Sequence, residues 1–185
     1  MNEPSASQRL FFALWPGAEV QAALAEAGAA ALGRRKARRV AADKLHITLA
    51  FLGEVDDRTQ ACAESVAASL AGRAFDLSLD QLGYWGRRGL LWAGPAATPP
   101  ALSALVADLG AGLEQCGLPQ DQRPFRPHVT LARKAPRLPS HQPIPAIHWP
   151  VRRFVLVASR LTPQGAVYTP VGEWSLEEDG PSNPT

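Results

Sequence analysis

The sequence predicts an α+β fold in which two similar halves each contribute one histidine-bearing strand. Segments with strand-like alternation interleave with helical segments, and neighbouring short strands argue against an all-parallel sheet. One five-residue pattern occurs twice, as His46-Ile47-Thr48-Leu49-Ala50 and His128-Val129-Thr130-Leu131-Ala132, 128 − 46 = 82 residues apart. If the two strands are equivalent and lie side by side about a pseudo-two-fold axis, both imidazoles face one cleft.

The first half of the chain predicts two strands and two helices. Residues 9–15 form an apolar run that ends at a proline, and residues 17–32 are alanine-rich with apolar residues at helical spacing. The first histidine strand covers 44–52. Asp56 or Asp57 is expected to cap a second helix that runs to about residue 70.

The second half repeats this mixture of strands and helices. Residues 75–79 and 89–94 predict an antiparallel pair, and residues 101–116 carry a leucine stripe typical of a helix. Prolines before His128 force an extended entry into the second histidine strand. A proline-rich linker is expected over 136–150, followed by closing strands at 154–159 and 166–171. Residues 1–7 are expected to be loose, and residues 177–185 to be a disordered tail after a single two-lobed domain of residues 1–176.

Composition places few limits on function. A chain of 185 residues with 46% hydrophobic content can bury one core or two small lobes that share one. The net charge of +2 permits a polyanionic partner without requiring it, and five cations lie within residues 34–39. That run is either a solvated loop or a surface that attracts nucleic acid. Nothing in the sequence indicates a signal peptide, a membrane segment or more than a monomer.

Cysteine usage predicts a reduced, cytoplasmic protein. Cys62 and Cys116 are the only cysteines, and no further ligands at metal-site spacing accompany them. Four histidines could in principle bind zinc, but the strand spacing without a nearby carboxylate or cysteine is weak evidence for such a site. His141 and His148 fall in the predicted linker and are expected at the surface. No metal or other cofactor is predicted.

The repeated pattern predicts which side chains share a face. Leu45, Ile47, Leu49 and Phe51 alternate with His46, Thr48 and Ala50, so a regular strand would bury the first set and place His46 beside Thr48. In the second copy, His128 lies beside Thr130. A lone strand histidine is usually structural, and threonine favours strands regardless of function, but the repetition makes a shared site the better interpretation.

Two facing histidines are suited to displacement at a phosphodiester. With an unperturbed pKa of about 6.5, one imidazole can be neutral and the other charged near neutral pH. The neutral imidazole would take the proton of an attacking water, and the charged one would protonate the departing oxygen. Thr48 and Thr130 would donate hydrogen bonds to the non-bridging oxygens.

These motifs resemble the two-histidine (2H) phosphoesterase superfamily, and in particular its bacterial RNA 2′,3′-cyclic phosphodiesterases, also called 2′-5′ RNA ligases. The resemblance runs from about residue 8 to 176 and rests on four segments: residues 9–13, 45–55, 123–131 and 168–170. It implies a bilobal fold with a central cleft. It also implies hydrolysis of an RNA terminal 2′,3′-cyclic phosphate to a 2′-phosphomonoester, with 2′-5′ ligation as a side activity.

The resemblance also implies residue roles that the symmetry argument leaves open. The first-motif histidine, His46, acts as the proton donor, and the second, His128, as the proton acceptor. A basic residue usually follows the second motif, and Arg133 occupies that position. Strict alternation would direct Arg133 away from His128, so either the strand bulges or ends there, or Arg133 is not a phosphate ligand.

Two other functions compete with this one. A non-catalytic RNA- or nucleotide-binding module would use the cleft only to hold a phosphate. A phosphodiesterase for free cyclic nucleotides or for 2′-5′-linked oligonucleotides would use the same chemistry, although the basic runs favour a longer polyanion. Possible stacking partners for a base are Phe12, Trp85, Trp92 and Tyr168.

Overall fold

The structure is a computed structural model that describes residues 7–121 and 123–178. Within these ranges the strands are β1 (Gln8–Leu14), β2 (Arg38–Arg39), β3 (Ile47–Val55), β4 (Phe75–Trp85), β5 (Leu90–Gly94), β6 (Val129–Arg133), β7 (His141–Val151), β8 (Arg153–Thr162) and β9 (Gly165–Ser175). The helices are α1 (Ala18–Leu32), α2 (Asp57–Ser69) and α3 (Pro100–Gln115). The predicted α+β class is confirmed.

The strands form one antiparallel sheet with the two histidine strands at its centre. The order is β7-β4-β5-β6-β3-β1-β8-β9, with β2 beside β6. We call β3, β1, β8 and β9 the first lobe, and β6, β5, β4 and β7 the second lobe. A single residue pair, Ile47 with Val129, joins β3 to β6. The lobes are therefore held together next to the two histidines and diverge away from them.

The lobes do not coincide with the halves of the sequence. Helix α1 follows β1 of the first lobe but packs on β5, β6 and β7 of the second. Helix α3 follows β5 of the second lobe and packs on β3 of the first, while β8 and β9 return to the first lobe at the end of the chain. Each half of the sequence contributes one histidine strand, as predicted, but each lobe needs segments from both halves.

One face of the sheet is covered by helices and the other is open. In β1, Leu10, Phe12 and Leu14 are fully buried in the main core, which includes residues of all three helices. The neighbours Phe11 and Ala13 point to the opposite face, where they form a small cluster with Val155 and Val157 of β8. The sequence alternation of β1 therefore separates a core side from a site side.

The predicted helix boundaries are close to the observed ones. Asp56 caps α2, because its Oδ1 accepts a hydrogen bond of 2.8 Å from the backbone N–H of Thr59. Pro99 and Pro100 open α3, and Gly33 ends α1 with a positive φ of 54°. None of the helices in the described ranges is long and apolar enough to cross a membrane.

The predicted proline-rich linker at 136–150 is instead largely a strand. His141–Val151 forms β7, which pairs with β4 along the outer edge of the second lobe. Prolines are tolerated in β7 because an edge strand can leave the missing N–H on its unpaired side. His141 and His148 lie on this strand and are exposed, as expected.

The expectation of reduced cysteines is also contradicted. Cys62 of α2 and Cys116, at the end of α3, form a disulfide with a Cα–Cα distance of 5.9 Å. The two residues are 54 positions apart in sequence, and only the packing of α2 against α3 brings them together. Cysteine counting could not detect a contact that tertiary structure creates.

The described chain continues slightly past residue 176. Glu177 exchanges backbone hydrogen bonds of 2.8 Å with Gly72 and Ala74, and the Glu178 carboxylate is 3.2 Å from Nε of Arg152. The rest of the predicted tail, and residues 1–6 of the segment expected to be loose, lie outside the described residues.

Candidate active site

The two histidines stand directly before the central strands. His46 precedes Ile47 and His128 precedes Val129, and these two following residues are paired antiparallel. Continuing that antiparallel register by one residue in each direction sets His46 opposite Thr130 and His128 opposite Thr48. All four side chains are half-buried. The fold thus brings the predicted histidines and threonines to the centre of the open face.

Both histidines are oriented by the same backbone contact. Nδ1 of His46 lies 2.7 Å from the carbonyl oxygen of Lys44, and Nδ1 of His128 lies 2.8 Å from that of Arg126. A carbonyl oxygen can only accept, so each Nδ1 carries the proton and donates it. Each Nε2 therefore remains for chemistry, as acceptor in the neutral ring and as donor in the charged ring.

Burial and positive charge favour the neutral form of both rings. Burial lowers the pKa of His46 below its ordinary value, the hydrogen bond to Lys44 opposes this, and the charges of His128 and Arg133 lower it further. Burial likewise lowers the pKa of His128, opposed by the hydrogen bond to Arg126 and reinforced by Arg133. A bound phosphate would counteract the lowering of both pKa values by the neighbouring positive charges, since an anion stabilises an imidazolium.

Aromatic rings enclose His46 on the first lobe. Trp15 stacks on the imidazole with ring centroids 4.9 Å apart and an interplanar angle of 6°. Phe11 and Tyr168 approach it at 5.1 and 5.4 Å. Lys44 connects the segment before β3 to the β8–β9 hairpin, because its Nζ donates a 2.8 Å hydrogen bond to the carbonyl of Ala166. These contacts fix the ring plane of His46.

A tryptophan pair encloses His128 on the second lobe. Trp85 and the imidazole of His128 make a T-shaped contact with ring centroids 4.6 Å apart, and the ring centroid of Trp92 lies 5.2 Å from that of Trp85 and 6.5 Å from that of His128. Trp92 lies flat across its cross-strand partner Gly83, where an added Cβ would stand only 1.9 Å from the indole. Gly83 is therefore needed for the position of Trp92.

The same β-bulge occurs in both histidine strands. In β3, Thr48 pairs with Ala13 and Ala50 with Phe12, which leaves Leu49 as the extra residue. In β6, Thr130 pairs with Trp92 and Ala132 with Leu91, which leaves Leu131 extra. An extra residue reverses the alternation that follows it. The fifth residue after each histidine consequently returns to the open face.

The bulges decide the positions of Arg133 and Phe51. Arg133 is exposed, and its charge acts on both histidines, so the bulged alternative is the correct one for this strand. Phe51 was predicted to lie with the core residues, but it is 65% exposed and pairs with Phe11 of the site side. The prediction for Phe51 was wrong because it assumed an unbroken alternation.

Sequence reasoning missed some site residues and included one that does not belong. Trp15 was assigned only to the first strand, and the proline that follows it gave no signal of a contact with His46. Phe12, suggested as a base-stacking partner, is fully buried on the core side. Within the part of the chain that the structure describes, no three His, Cys, Asp or Glu side chains are grouped as a metal-binding cluster would require.

This two-lobed antiparallel sheet, with a symmetric histidine pair at its centre, is the architecture of a two-histidine phosphoesterase. The model of the 2′-5′ RNA ligase superfamily matches residues 16–162, and the chain belongs to this family. It is 36% identical over 180 residues to the RNA 2′,3′-cyclic phosphodiesterase of Escherichia coli K12, covering 96% of this chain and all of that one. It is 35% identical over 179 residues to the enzyme of the same name from Thermus thermophilus, with coverages of 91% and 90%.

A solved structure agrees with the sequence comparison. The crystal structure of E. coli LigT complexed with 3′-AMP superimposes with a TM-score of 0.85 at 35% identity, covering 92% of this chain and 99% of that one. The similarity extends over both lobes. The overall fold described above is therefore that of a protein crystallised with a nucleotide.

Proposed function

We propose that this chain is an RNA 2′,3′-cyclic phosphodiesterase, which opens a cyclic phosphate at an RNA end to leave a 2′-phosphomonoester. The observation that carries the proposal is the symmetric histidine pair, in which both Nδ1–H groups are bound to backbone carbonyls and both Nε2 atoms are left for proton transfer. The names of the E. coli and Thermus relatives support it.

In the proposed reaction His128 is the proton acceptor and His46 the proton donor, an order that rests on the family resemblance. A water oxygen bonds to phosphorus while its proton passes to Nε2 of His128. The bond from phosphorus to the 3′ oxygen breaks, and Nε2 of His46 gives that oxygen its proton. The 2′ ester remains, and one histidine ends protonated while the other ends neutral. Two imidazoles supply both transfers, so the proposed step needs no metal ion.

Three further residues are proposed to hold the phosphate. Thr48 and Thr130 are half-buried on the open face and would donate to the non-bridging oxygens, where charge concentrates in the transition state. Arg133 is exposed beside both histidines and would neutralise the same oxygens. Because the two strands are antiparallel, each threonine would lie on the side of the opposite histidine.

The proposed substrate is RNA in preference to a free cyclic nucleotide. Strand β2 pairs with the end of β6, with Arg38 opposite Arg133 and Arg39 opposite Ala132. Arg87 and Arg88 lie beside the same end, because Ala135 donates a 2.9 Å backbone hydrogen bond to Gly89. We call Arg38, Arg39, Arg87, Arg88 and Lys134 the basic ridge. A mononucleotide has too few phosphates to reach it, whereas a strand leading away from the site could follow it.

The proposed functional unit is a monomer with one two-lobed domain over residues 1–176, because both histidines come from one chain. We place it in the cytoplasm, where RNA ends of this kind would be met, although a disulfide is unusual there. We also propose 2′-5′ joining as a side activity of this site: the 5′ hydroxyl of a second RNA end replaces water, its oxygen bonds to the phosphorus of the cyclic phosphate while its proton passes to His128, and the 3′ oxygen leaves with a proton from His46. It requires two RNA ends in the cleft at once.

The direct test is to incubate purified protein, in EDTA, with a short RNA that ends in a 2′,3′-cyclic phosphate and to identify the product isomer. We expect a 2′-phosphate, lost by at least 10²-fold in His46→Ala and in His128→Ala. His148→Ala is the matched control, because His148 is exposed on β7 and hydrogen-bonds Ser78. Intact RNA, or activity that survives both active-site changes, would refute the proposal; binding without turnover would indicate the phosphate-holding module instead.

A further inference from the structure

The aromatic rings beside the two histidines are arranged differently. Trp15 lies parallel to the imidazole of His46, with an interplanar angle of 6°. Trp85 and Trp92 are inclined to the imidazole of His128 by 72° and 70°, and to each other by 39°. Trp15 is thus already stacked on its histidine. In the part of the chain that the structure describes, neither Trp85 nor Trp92 has a parallel aromatic partner.

Trp85 of β4 and Trp92 of β5, which we call the tryptophan wall, form a fixed surface next to His128. Their ring centroids are 5.2 Å apart, and that of Trp85 is 4.6 Å from the imidazole. Trp92 lies directly on the sheet, since an added Cβ would stand 1.9 Å from its indole at Gly83 and 3.0 Å at Gly94. Both tryptophans are half-buried, so part of each ring remains accessible. Such a surface is suited to stacking a nucleic-acid base.

The proposed joining reaction brings a second nucleoside to this wall. Its 5′ hydroxyl replaces water, so the 5′ oxygen lies next to Nε2 of His128, which takes the proton as that oxygen bonds to phosphorus. The ribose of the cyclic phosphate lies on the opposite side, because the 3′ oxygen that leaves takes its proton from His46. In a nucleoside the base and the 5′ carbon project from the same face of the ribose. A 5′ hydroxyl held at His128 therefore carries its base to the second lobe, where Trp85 lies.

We propose that Trp85 is the stacking platform for the base of the RNA end whose 5′ hydroxyl is joined. This inference rests on the proposed function and extends it to the second substrate of the joining reaction. Stacking on an aromatic ring is tolerant of base identity, so acceptor ends of any sequence are expected to bind. Water has no base and gains nothing from the wall. The tryptophan wall therefore favours joining relative to hydrolysis.

Competition between nucleophiles tests the proposal. Labelled adenosine 2′,3′-cyclic phosphate is incubated with the wild type, Trp85→Ala, Trp85→Leu and Trp85→Phe in water that contains either adenosine or methanol. Attack by water gives adenosine 2′-phosphate, attack by adenosine gives the 2′-5′-linked dinucleotide, and attack by methanol gives a methyl ester. All three nucleophiles pass their proton to His128. A change that only disturbs His128 should therefore slow the three reactions equally.

The acceptor site predicts an unequal change. We expect Trp85→Ala and Trp85→Leu to lower the ratio of dinucleotide to hydrolysis product about tenfold, whereas Trp85→Phe should keep most of it. Methanol has no base, so the ratio of methyl ester to hydrolysis product should be the same in all four proteins. Equal losses of all three products would assign Trp85 to the support of His128 alone and would overturn the proposal.

Binding of an unreactive dinucleotide separates this proposal from the proposed hydrolysis. 3′-Deoxyadenylyl-2′,5′-adenosine has no 3′ hydroxyl and cannot re-form the cyclic phosphate, and 3′-deoxyadenosine 2′-phosphate lacks the second nucleoside. Trp85→Ala should bind the first ligand about tenfold more weakly than the wild type and the second equally well. Equal affinity of both proteins for the dinucleotide would contradict the acceptor site. If Trp85 supports dinucleotide binding but the wild type hydrolyses no cyclic phosphate, the acceptor site stands and the proposed hydrolysis fails.

Discussion

Trp15 lies flat on His46, with ring centroids 4.9 Å apart and planes inclined by only 6°. The face of an indole carries negative charge density and attracts a cation, an interaction worth about 0.5–2 kcal/mol. Among the described residues, His128 has no such parallel stack and makes a T-shaped contact with Trp85, at 72°. The stacked indole therefore stabilises the protonated form of His46, which the proposed donor role requires.

Replacing Trp15 should destabilise the protonated form of His46. We expect Trp15→Leu to lower the pKa of His46, because the imidazolium loses its π partner, whereas Trp15→Phe should retain part of the effect. NMR titration of the histidine ring protons measures this directly. The titration of exposed His148 provides the internal control. A His46 pKa that stays constant, or rises, in Trp15→Leu would show that the stacked ring serves only to position the imidazole.

The pH profile of catalysis should be displaced to the acidic side. In the free enzyme the pKa of each histidine is lowered, mainly by burial. The state in which one imidazole is charged and the other is neutral is therefore populated below pH 6.5. We expect kcat/KM to be maximal there and to fall at higher pH, as the donor loses its proton, and at lower pH, as the acceptor gains one. The profile of kcat should lie at higher pH, because bound phosphate raises both pKa values. Coincident profiles would contradict this electrostatic account.

Arg133 should affect both phosphate binding and histidine titration. We expect Arg133→Ala to reduce kcat/KM roughly 10–100-fold, since a hydrogen bond to a charged group contributes about 1.5–3 kcal/mol. Its pH profile should move to higher pH, because removal of the positive charge raises the pKa of both histidines. Arg58→Ala is the matched control, as Arg58 is exposed on α2, on the helix-covered side. If the pH profile of Arg133→Ala matched that of the wild type, the charge of Arg133 would not influence the titration of the two histidines.

The basic ridge should matter for RNA and not for a mononucleotide. Replacing Arg38 and Arg39 with alanine is expected to lower kcat/KM for an RNA that ends in a cyclic phosphate. The kcat/KM for a 2′,3′-cyclic mononucleotide should stay unchanged. The logarithmic salt dependence for RNA should become shallower by about 0.7 for each phosphate that the variant protein no longer neutralises. Rates measured at several salt concentrations test both points. Equal losses with the two substrates would mean that these arginines act on the catalytic site.

The disulfide between Cys62 and Cys116 should stabilise the fold without serving catalysis. It closes a loop of 54 residues and joins α2 to the end of α3, on the helix-covered side of the sheet. We expect the double change to alanine to lower the free energy of unfolding by about 2–4 kcal/mol, with kcat/KM unchanged. Urea unfolding with and without reductant measures the first quantity. A loss of activity in the folded variant would show that α2 and α3 support the site after all.

Much of the fold could be predicted because the chain carries strong local signals. Alternating apolar residues predicted β1 and the β4–β5 and β8–β9 pairs, Asp56 and the Pro99-Pro100 step marked helix starts, and the leucine stripe of α3 indicated a buried face. Strand β7 escaped prediction, because proline excludes a central strand and only its place at the sheet edge makes three prolines acceptable. Helices α1 and α3 each pack on the lobe opposite to the strand that they follow, and no local sequence pattern indicates this packing.

By itself, the sequence determined the secondary structure of most elements and the identity of the candidate chemical groups, since strand periodicity and a repeated His-x-Thr are local patterns. Tertiary structure decided the rest. The bulges at Leu49 and Leu131 depend on how β1 and β5 pair with the histidine strands, and they turn Phe51 and Arg133 toward the cleft. The stacking of Trp15 on His46 and the Cys62–Cys116 bond likewise join segments far apart in sequence, and such contacts arise only once the chain is folded.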